Sequence, residues 1–177
     1  MHTWNDLLGV FPGLIGVKTG HTDGAGWCEV AAARRQGYTI YVVILGSPTR
    51  AQRNSDLDRL LAWGVSRYTT MTLVGREALA HVALPYGKAP LALVATEPLV
   101  RVVPTSARVV QRIVAPSAVA LPVRRGQQLG RVEVWSGSRL LGSRFLFASR
   151  SVARPGLGGR LRWYATRTVK DLWGFIP

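Results

Sequence analysis

The sequence predicts an α+β protein whose strands and helices are unevenly distributed along the chain. Residues 13–47 contain three apolar segments, of which "YTIYVVILG" is rich in β-branched and aromatic residues. Residues 47–68 follow with leucines at helical spacing, and from Thr70 onward short β-branched runs alternate with Pro and Gly. The first pattern indicates antiparallel strands packed against a helix. The second pattern indicates a small all-β sandwich.

The first part of the chain is predicted to contain three strands and one helix. The strands cover "LIGVKTG", "GWCEVAAAR" and "YTIYVVILG", and we expect the last of these to be buried on both faces. A tight turn at "RQG" joins the last two strands, and Ser47 or Thr49 is expected to cap the helix. The buried face of the helix should carry Leu57, Leu60, Leu61 and Val65. Its polar face should carry Arg53, Asp56 and Arg59.

The rest of the chain is predicted to contain short strands followed by one more helix. "VEVWSGSRLLG" is typical of a β-hairpin with Ser-Gly-Ser at its tip. The glycine-rich stretch "RPGLGG" separates this β-rich part from the terminal helix. We therefore expect three regions, namely residues 1–69, a β-sandwich over residues 70–158, and a helix over residues 159–177.

The terminal helix carries an apolar stripe flanked by basic residues. Such a helix is too charged to span a bilayer well, and it suits the membrane surface. Docking of the same stripe against the β-sandwich is the alternative. The residues expected to anchor the helix in the membrane surface are Leu161, Trp163, Leu172, Trp173 and Ile176.

The charge balance of the chain predicts an anionic partner. There are 23 Lys and Arg against 9 Asp and Glu, a net charge of +14, and most of the excess lies beyond residue 68. Nucleic acid, an anionic membrane and an acidic polymer all fit this balance, and a basic, solvated surface is the alternative. We expect no nucleic acid, because the predicted strands carry few exposed aromatic residues and the chain has no nucleic-acid motif.

Several classes of protein are excluded by composition. The one cysteine, Cys28, allows neither an internal disulfide nor a Cys-based zinc site. The chain has no apolar run of about 18 residues, so no membrane-spanning helix is predicted. The first residues lack the basic and apolar regions of a signal peptide.

The stretch "GVKTGHTDGAGW" is the candidate functional motif. A phosphate-binding loop is excluded, because that loop requires glycine directly before the lysine and Val17 stands there. A structural turn with an exposed lysine would explain the tripeptide Lys18-Thr19-Gly20 alone. The surrounding sequence therefore decides how this Lys-Thr-Gly box is interpreted.

With its surroundings, the box resembles the end of the catalytic domain of serine D-alanyl-D-alanine carboxypeptidases, the low-molecular-mass penicillin-binding proteins. His-Thr-Asp follows the box, a Gly-aromatic pair opens the next strand, and the following helix closes in "LLAWG". The second half resembles the β-rich C-terminal domain of the same family, and the terminal helix resembles its membrane anchor. The resemblance implies a transpeptidase/β-lactamase-like fold in the first part.

The resemblance also implies roles for four residues. Lys18 and Thr19 would bind the carboxylate of a peptidoglycan stem peptide that ends in D-Ala-D-Ala, and Gly20 would leave room for the substrate backbone. The backbone N–H of His21 would form half of the oxyanion hole. The family removes the terminal D-Ala by serine acyl transfer, binds β-lactams and needs no metal or cofactor. It works on the extracytoplasmic face of the cytoplasmic membrane, which implies a signal peptide upstream of this chain.

The sequence departs from the family pattern in one respect. No serine has a lysine three residues later, and no Ser-X-Asn occurs, so the boxes that carry the nucleophile are absent. We therefore expect a C-terminal fragment of the enzyme that is inactive alone. A non-catalytic peptidoglycan- or membrane-associated adaptor and a basic nucleic-acid-binding β-module are the alternatives.

Overall fold

The computed structural model describes residues 3–161 and 163. The chain divides into two compact units. The first unit comprises Met1–Met71 and Val100–Ala107, and the second comprises Thr72–Leu99 and Arg108–Pro177. Most of the predicted terminal helix, residues 164–177, lies outside the described residues.

The first unit contains an antiparallel three-stranded sheet and one helix. The strands are β1 (Leu14–Thr22), β2 (Gly26–Arg35) and β3 (Tyr38–Ser47), in the order β1-β2-β3. The helix α1 (Arg50–Ser66) covers one face of this sheet. The apolar core between them consists of Leu14, Ala31, Ala33, Val42, Ile44, Leu57 and Leu61.

Strand β3 is buried on one face only. Val42 and Ile44 face α1 and are buried, whereas Tyr41, Val43 and Leu45 point to the opposite face and are exposed. The prediction that this strand is buried on both faces is therefore wrong for the described chain. The run of β-branched residues predicted the strand, but α1 covers only one side of the sheet.

Helix α1 begins and ends close to the predicted positions, but its buried face differs. The Thr49 side chain caps the helix by accepting a hydrogen bond from the Gln52 backbone N–H at 3.1 Å. Leu57 and Leu61 are buried as expected, whereas Leu60 is 43% exposed. Arg53, expected on the polar face, is 0% exposed. Arg53 precedes Leu57 by four residues and shares its stripe, which faces the sheet.

Seven further strands follow among the described residues, most of them short, as the sequence predicted. They are β4 (Tyr68–Val74), β5 (Ala78–Val82), β6 (Leu91–Ala95), β7 (Leu99–Pro104), β8 (Val109–Val114), β9 (Gln128–Ser136) and β10 (Arg139–Ala148). Strands β4 and β7 pair with each other, and the other five form one sheet in the order β5-β6-β10-β9-β8. The predicted hairpin connects β9 and β10, with Gly137 in the left-handed region at its tip. These elements confirm the α+β class.

Candidate functional site

The Lys-Thr-Gly box lies on an edge strand that borders a groove. Strand β2 pairs with one edge of β1, and among the described residues no strand pairs with the other edge. A groove of about 820 Å³ runs along this free edge. Residues 15–21 of β1 line one side, and Thr3, Trp4, Asn5 and Leu8 line the other. A free strand edge offers a row of backbone N–H and C=O groups to an extended peptide.

Residues of the box point to both faces of β1. Lys18 is in register with Val30, and Thr19 is in register with Glu29. Because side chains alternate along a strand, Lys18 lies on the open face of the sheet and Thr19 on the face towards α1. The Lys18 ammonium group is exposed and donates a hydrogen bond to the Thr19 carbonyl at 2.7 Å. Lys18, Thr19 and His21 all line the same groove, with Lys18 on the open face of the sheet and Thr19 on the α1 face.

Gly20 is not required by the fold of the described chain. Its backbone φ lies outside the left-handed region, and a Cβ atom built on it would meet no atom within 4 Å. The space in front of this residue is therefore open. An alanine would fit there without displacing any described residue.

The turn that follows the box does require glycine. Gly26 adopts a φ of +66°, and a Cβ on it would lie 2.8 Å from the Ser47 carbonyl oxygen. The Thr22 hydroxyl accepts a hydrogen bond from the Ala25 N–H at 3.1 Å, which closes the turn. This turn sets the register between β1 and β2, and so it fixes where the box lies along the edge.

An aromatic cluster includes two residues that line the groove, Trp4 and His21. The ring centroids of His21 and Trp27 are 4.3 Å apart, and those of Trp27 and Trp4 are 6.1 Å apart. The guanidinium carbons of Arg50 and Arg53 lie 6.0 and 5.6 Å from the centroid of the Trp27 ring. Both contacts fall within the range of a cation–π interaction.

Two carboxylates pair with these arginines in different environments. Arg53 Nε lies 3.1 Å from Glu29 Oε2, and both side chains are fully buried. Arg50 pairs with Asp6, and both side chains are more than a third exposed. Burial raises the pKa of Glu29, and the charge of Arg53 opposes this shift. Hydrogen bonds from Arg50 and then Asn54 lower the pKa of Asp6.

The sequence interpretation missed this cluster. It included Trp27 only as the aromatic residue that opens β2, and it assigned Arg53 to the solvent. The available signal was the position of Arg53 on the leucine stripe of α1, four residues before Leu57. A second signal was a glutamate, Glu29, within the apolar run "GWCEVAAA".

The predicted membrane-anchor residues are described only in part. Residues 157–161 are helical, and Leu161 is exposed. Trp163 is half-buried, with its ring edge-on to Tyr86 at a centroid distance of 5.4 Å. The other predicted anchor residues lie outside the described residues, namely Leu172, Trp173 and Ile176.

Neither a metal site nor a membrane-spanning helix is found among the described residues. Across residues 3–161 and 163, no group of three His, Cys, Asp or Glu side chains could hold a metal ion. None of the helices within this range has both the length and the apolar character needed to cross a bilayer.

Comparison with known proteins supports the resemblance seen in the sequence. No family model matches the chain. The D-alanyl-D-alanine carboxypeptidase DacF of Bacillus subtilis is 26% identical over 157 residues, which is 86% of this chain and 40% of that protein. DacA of Haemophilus influenzae is 29% identical over 164 residues, or 89% of this chain and 42% of that protein. A Streptomyces D-alanyl-D-alanine carboxypeptidase is 40% identical over a shorter match of 67 residues, 36% of this chain and 23% of that protein.

A solved structure also matches the fold. Penicillin-binding protein 5 of Haemophilus influenzae aligns with a TM-score of 0.50 at 26% identity, covering 85% of this chain and 46% of that structure. The chain spans about 40% of the length of the first two curated relatives. Over most of its length, the chain is thus similar to less than half of a D-alanyl-D-alanine carboxypeptidase.

Proposed function

We propose that the groove along β1 binds the C-terminal carboxylate of a peptide ending in D-Ala-D-Ala. In this proposal the chain supplies one wall of the active-site cleft of a serine-type D-Ala-D-Ala carboxypeptidase. One observation carries it: Lys18, Thr19, Gly20 and His21 line one groove along a strand edge that no described strand pairs with. The similarity to carboxypeptidases over most of the chain supports it.

The charge of Lys18 is available to a ligand. Its ammonium group donates to the neutral Thr19 carbonyl, and it forms no ion pair within the described part of the chain. A substrate carboxylate would replace this neutral acceptor with a charged one, and charge-assisted hydrogen bonds are the stronger kind. The Thr19 hydroxyl would add a directional donor from the other face of the strand.

The substrate backbone would pair with β1 as an added strand. Gly20 has open space in front of it, so a peptide can approach the strand closely there. The N–H of His21 would donate to the oxygen that becomes negatively charged during acyl transfer, and loss of one such donor typically costs about 10²–10³ in rate. His21 would therefore act through its backbone, with its ring beside the groove.

The nucleophile of this reaction would come from outside the present sequence. Neither Ser-X-X-Lys nor Ser-X-Asn occurs in the chain. We therefore expect that the chain alone is not labelled by a fluorescent penicillin, as judged by denaturing electrophoresis. A stoichiometric labelled band would show that one of its own serines is acylated.

The binding proposal is tested by titrating the chain with a short acylated peptide that ends in D-Ala-D-Ala. Chemical shifts of the backbone amides report the binding site. We expect saturable shifts at residues 18–21, and no such shifts with the same peptide amidated at its C-terminus. Equal shifts with acid and amide would refute carboxylate binding at Lys18.

We also propose that residues 159–177 hold the protein at the extracytoplasmic surface of the membrane. Leu157 and Leu161 are exposed and lie four residues apart in the helical segment 157–161, next to the basic Arg160. Trp163 contacts Tyr86 and would not enter the lipid in this arrangement. Co-sedimentation with anionic liposomes tests the proposal against a chain that ends at Pro155. Equal sedimentation of the two would contradict it.

A further inference from the structure

We propose that Glu29 and Arg53 are positioning residues, which hold the Trp27 ring and, through it, His21 beside the groove. The catalytic consequence of this inference rests on the proposed function. The contacts that carry it lie within the first unit and do not depend on that function. They form one connected path from the core to the groove.

The first step is the burial of Arg53. Its side chain is 0% exposed, on the same stripe of α1 as Leu57 and Leu61. A buried guanidinium is costly unless it is paired. Glu29 supplies the buried partner from β2, with its carboxylate 3.1 Å from Arg53 Nε. The exposed Asp6 carboxylate lies farther away, 3.6 Å from Arg53 Nη2.

The second step joins this ion pair to the aromatic cluster. The Arg53 guanidinium lies 5.6 Å from the centroid of the Trp27 ring. Arg53 Nη2 also donates a hydrogen bond to the backbone carbonyl of Trp4 at 3.0 Å. One buried side chain therefore contacts both indole-bearing residues of the cluster. Glu29 restrains the Arg53 side chain through the buried ion pair.

The third step leads from Trp27 to His21. The two residues are directly opposite each other in the β1–β2 register, and their rings are 4.3 Å apart. Glu29 is opposite Thr19 in the same register. Because opposite residues share a face of the sheet, these contacts lie on the α1 face, next to Thr19 of the Lys-Thr-Gly box. A shift of Trp27 would therefore change the position of the His21 ring on the edge strand.

The hydrogen bonding of the pair argues against a purely stabilising role. Within the described residues, neither carboxylate oxygen of Glu29 accepts a hydrogen bond, and Arg53 Nη1 donates none. Apolar residues of similar volume often serve stability as well as a buried ion pair does. What an apolar pair cannot supply is the cation against the Trp27 ring.

The test separates positioning from stability through the ring-current shift of His21. The full chain is prepared with isotope-labelled histidine rings, and the variant Trp27→Leu defines how far the His21 signal moves when the indole is lost. We expect the double variant Glu29→Leu/Arg53→Met to fold, and its His21 signal to move most of the way to the Trp27→Leu position. Glu29→Gln should move the signal less, in the same direction.

The matched control is Glu133→Gln, which alters a carboxylate that pairs with Arg131 in the second unit. It should leave the His21 signal in place. A folded double variant with the wild-type His21 signal would overturn the proposal. Failure of the double variant to fold, while Trp27→Leu folds, would also overturn it, since the pair would then be needed for stability. Neither result depends on the peptide titration, so the two proposals fail separately.

Discussion

The two faces of the three-stranded sheet in the first unit differ in what covers them and in what they can do. The face towards α1 carries the apolar core, the Glu29–Arg53 pair and the contact between Trp27 and His21. The opposite face exposes Tyr41, Val43 and Leu45. The sheet therefore has one face that is packed against α1 and one face that is accessible. The edge strand β1 shares both, since Thr19 points to one face and Lys18 to the other.

The difference also bears on how the protein behaves in solution. Large apolar side chains grouped on an open sheet face mark interaction surfaces or sites of self-association. Strand β3 is also an edge strand, and it has no charged residue to discourage further pairing. By contrast, the β1 edge carries Lys18, which disfavours non-specific strand pairing while it suits an anionic ligand.

The largest expected effect comes from removing the buried cation on the α1 face. Arg53→Met leaves Glu29 buried without its partner, and breaking such a pair typically costs about 3–5 kcal/mol in the free energy of unfolding. Arg50→Met is the matched control, because Arg50 contacts the same ring but its side chain is 40% exposed. Urea unfolding of both variants measures the difference. Equal losses of stability would show that burial does not distinguish the two arginines.

Neighbouring residues on β3 provide a direct comparison of the two faces. Ile44 is 8% exposed and Leu45 is 74% exposed. Ile44→Ala should lower the free energy of unfolding by about 2–5 kcal/mol, because it opens a cavity against α1. Leu45→Ala should change it by no more than about 0.5 kcal/mol, and it should reduce self-association in light scattering. A large loss of stability in Leu45→Ala would mean that the open face is packed in solution.

A smaller effect should appear in the pH dependence of stability. The pKa of Glu29 is raised by burial, so the folded state binds its proton more tightly than the unfolded state does. Stability from this group is present below the unfolded pKa, about 4.3 for Glu, and is lost as the pH rises through the folded value. The pKa of Asp6 is lowered, so its contribution is present at higher pH and is lost as the pH falls below about 3.9.

Urea unfolding between pH 3 and 8 tests these two signs. Glu29→Gln should abolish the loss of stability that occurs as the pH rises through the folded pKa of Glu29. Asp6→Asn should abolish the loss of stability that occurs as the pH falls below about 3.9. If both variants changed the profile in the same direction, the contrast between the buried and exposed carboxylates would be wrong.

Much of this arrangement could be predicted from the sequence. The β-branched runs gave the strands, Thr49 marked the start of α1, and the Lys-Thr-Gly box was correctly placed on a strand next to a glycine-containing turn. The burial of Arg53 could not be predicted in the same way. A charged residue on a helix normally faces water, and its burial depends on Glu29, which meets it only after β2 and α1 pack together. The aromatic cluster was missed for the same reason, because Trp4, Trp27 and His21 meet only in the folded unit.

The most direct test of the central claim, that the β1 groove binds a substrate carboxylate through Lys18, is the peptide titration repeated with Lys18→Ala. Lys18 is exposed and forms no ion pair among the described residues, so the melting temperature should stay unchanged. A lost charge-assisted hydrogen bond costs about 1.5–3 kcal/mol, which predicts at least about tenfold weaker binding. Lys88→Ala, which removes a lysine from the second unit, should bind the peptide like the unmodified chain. Wild-type affinity in Lys18→Ala would contradict the account.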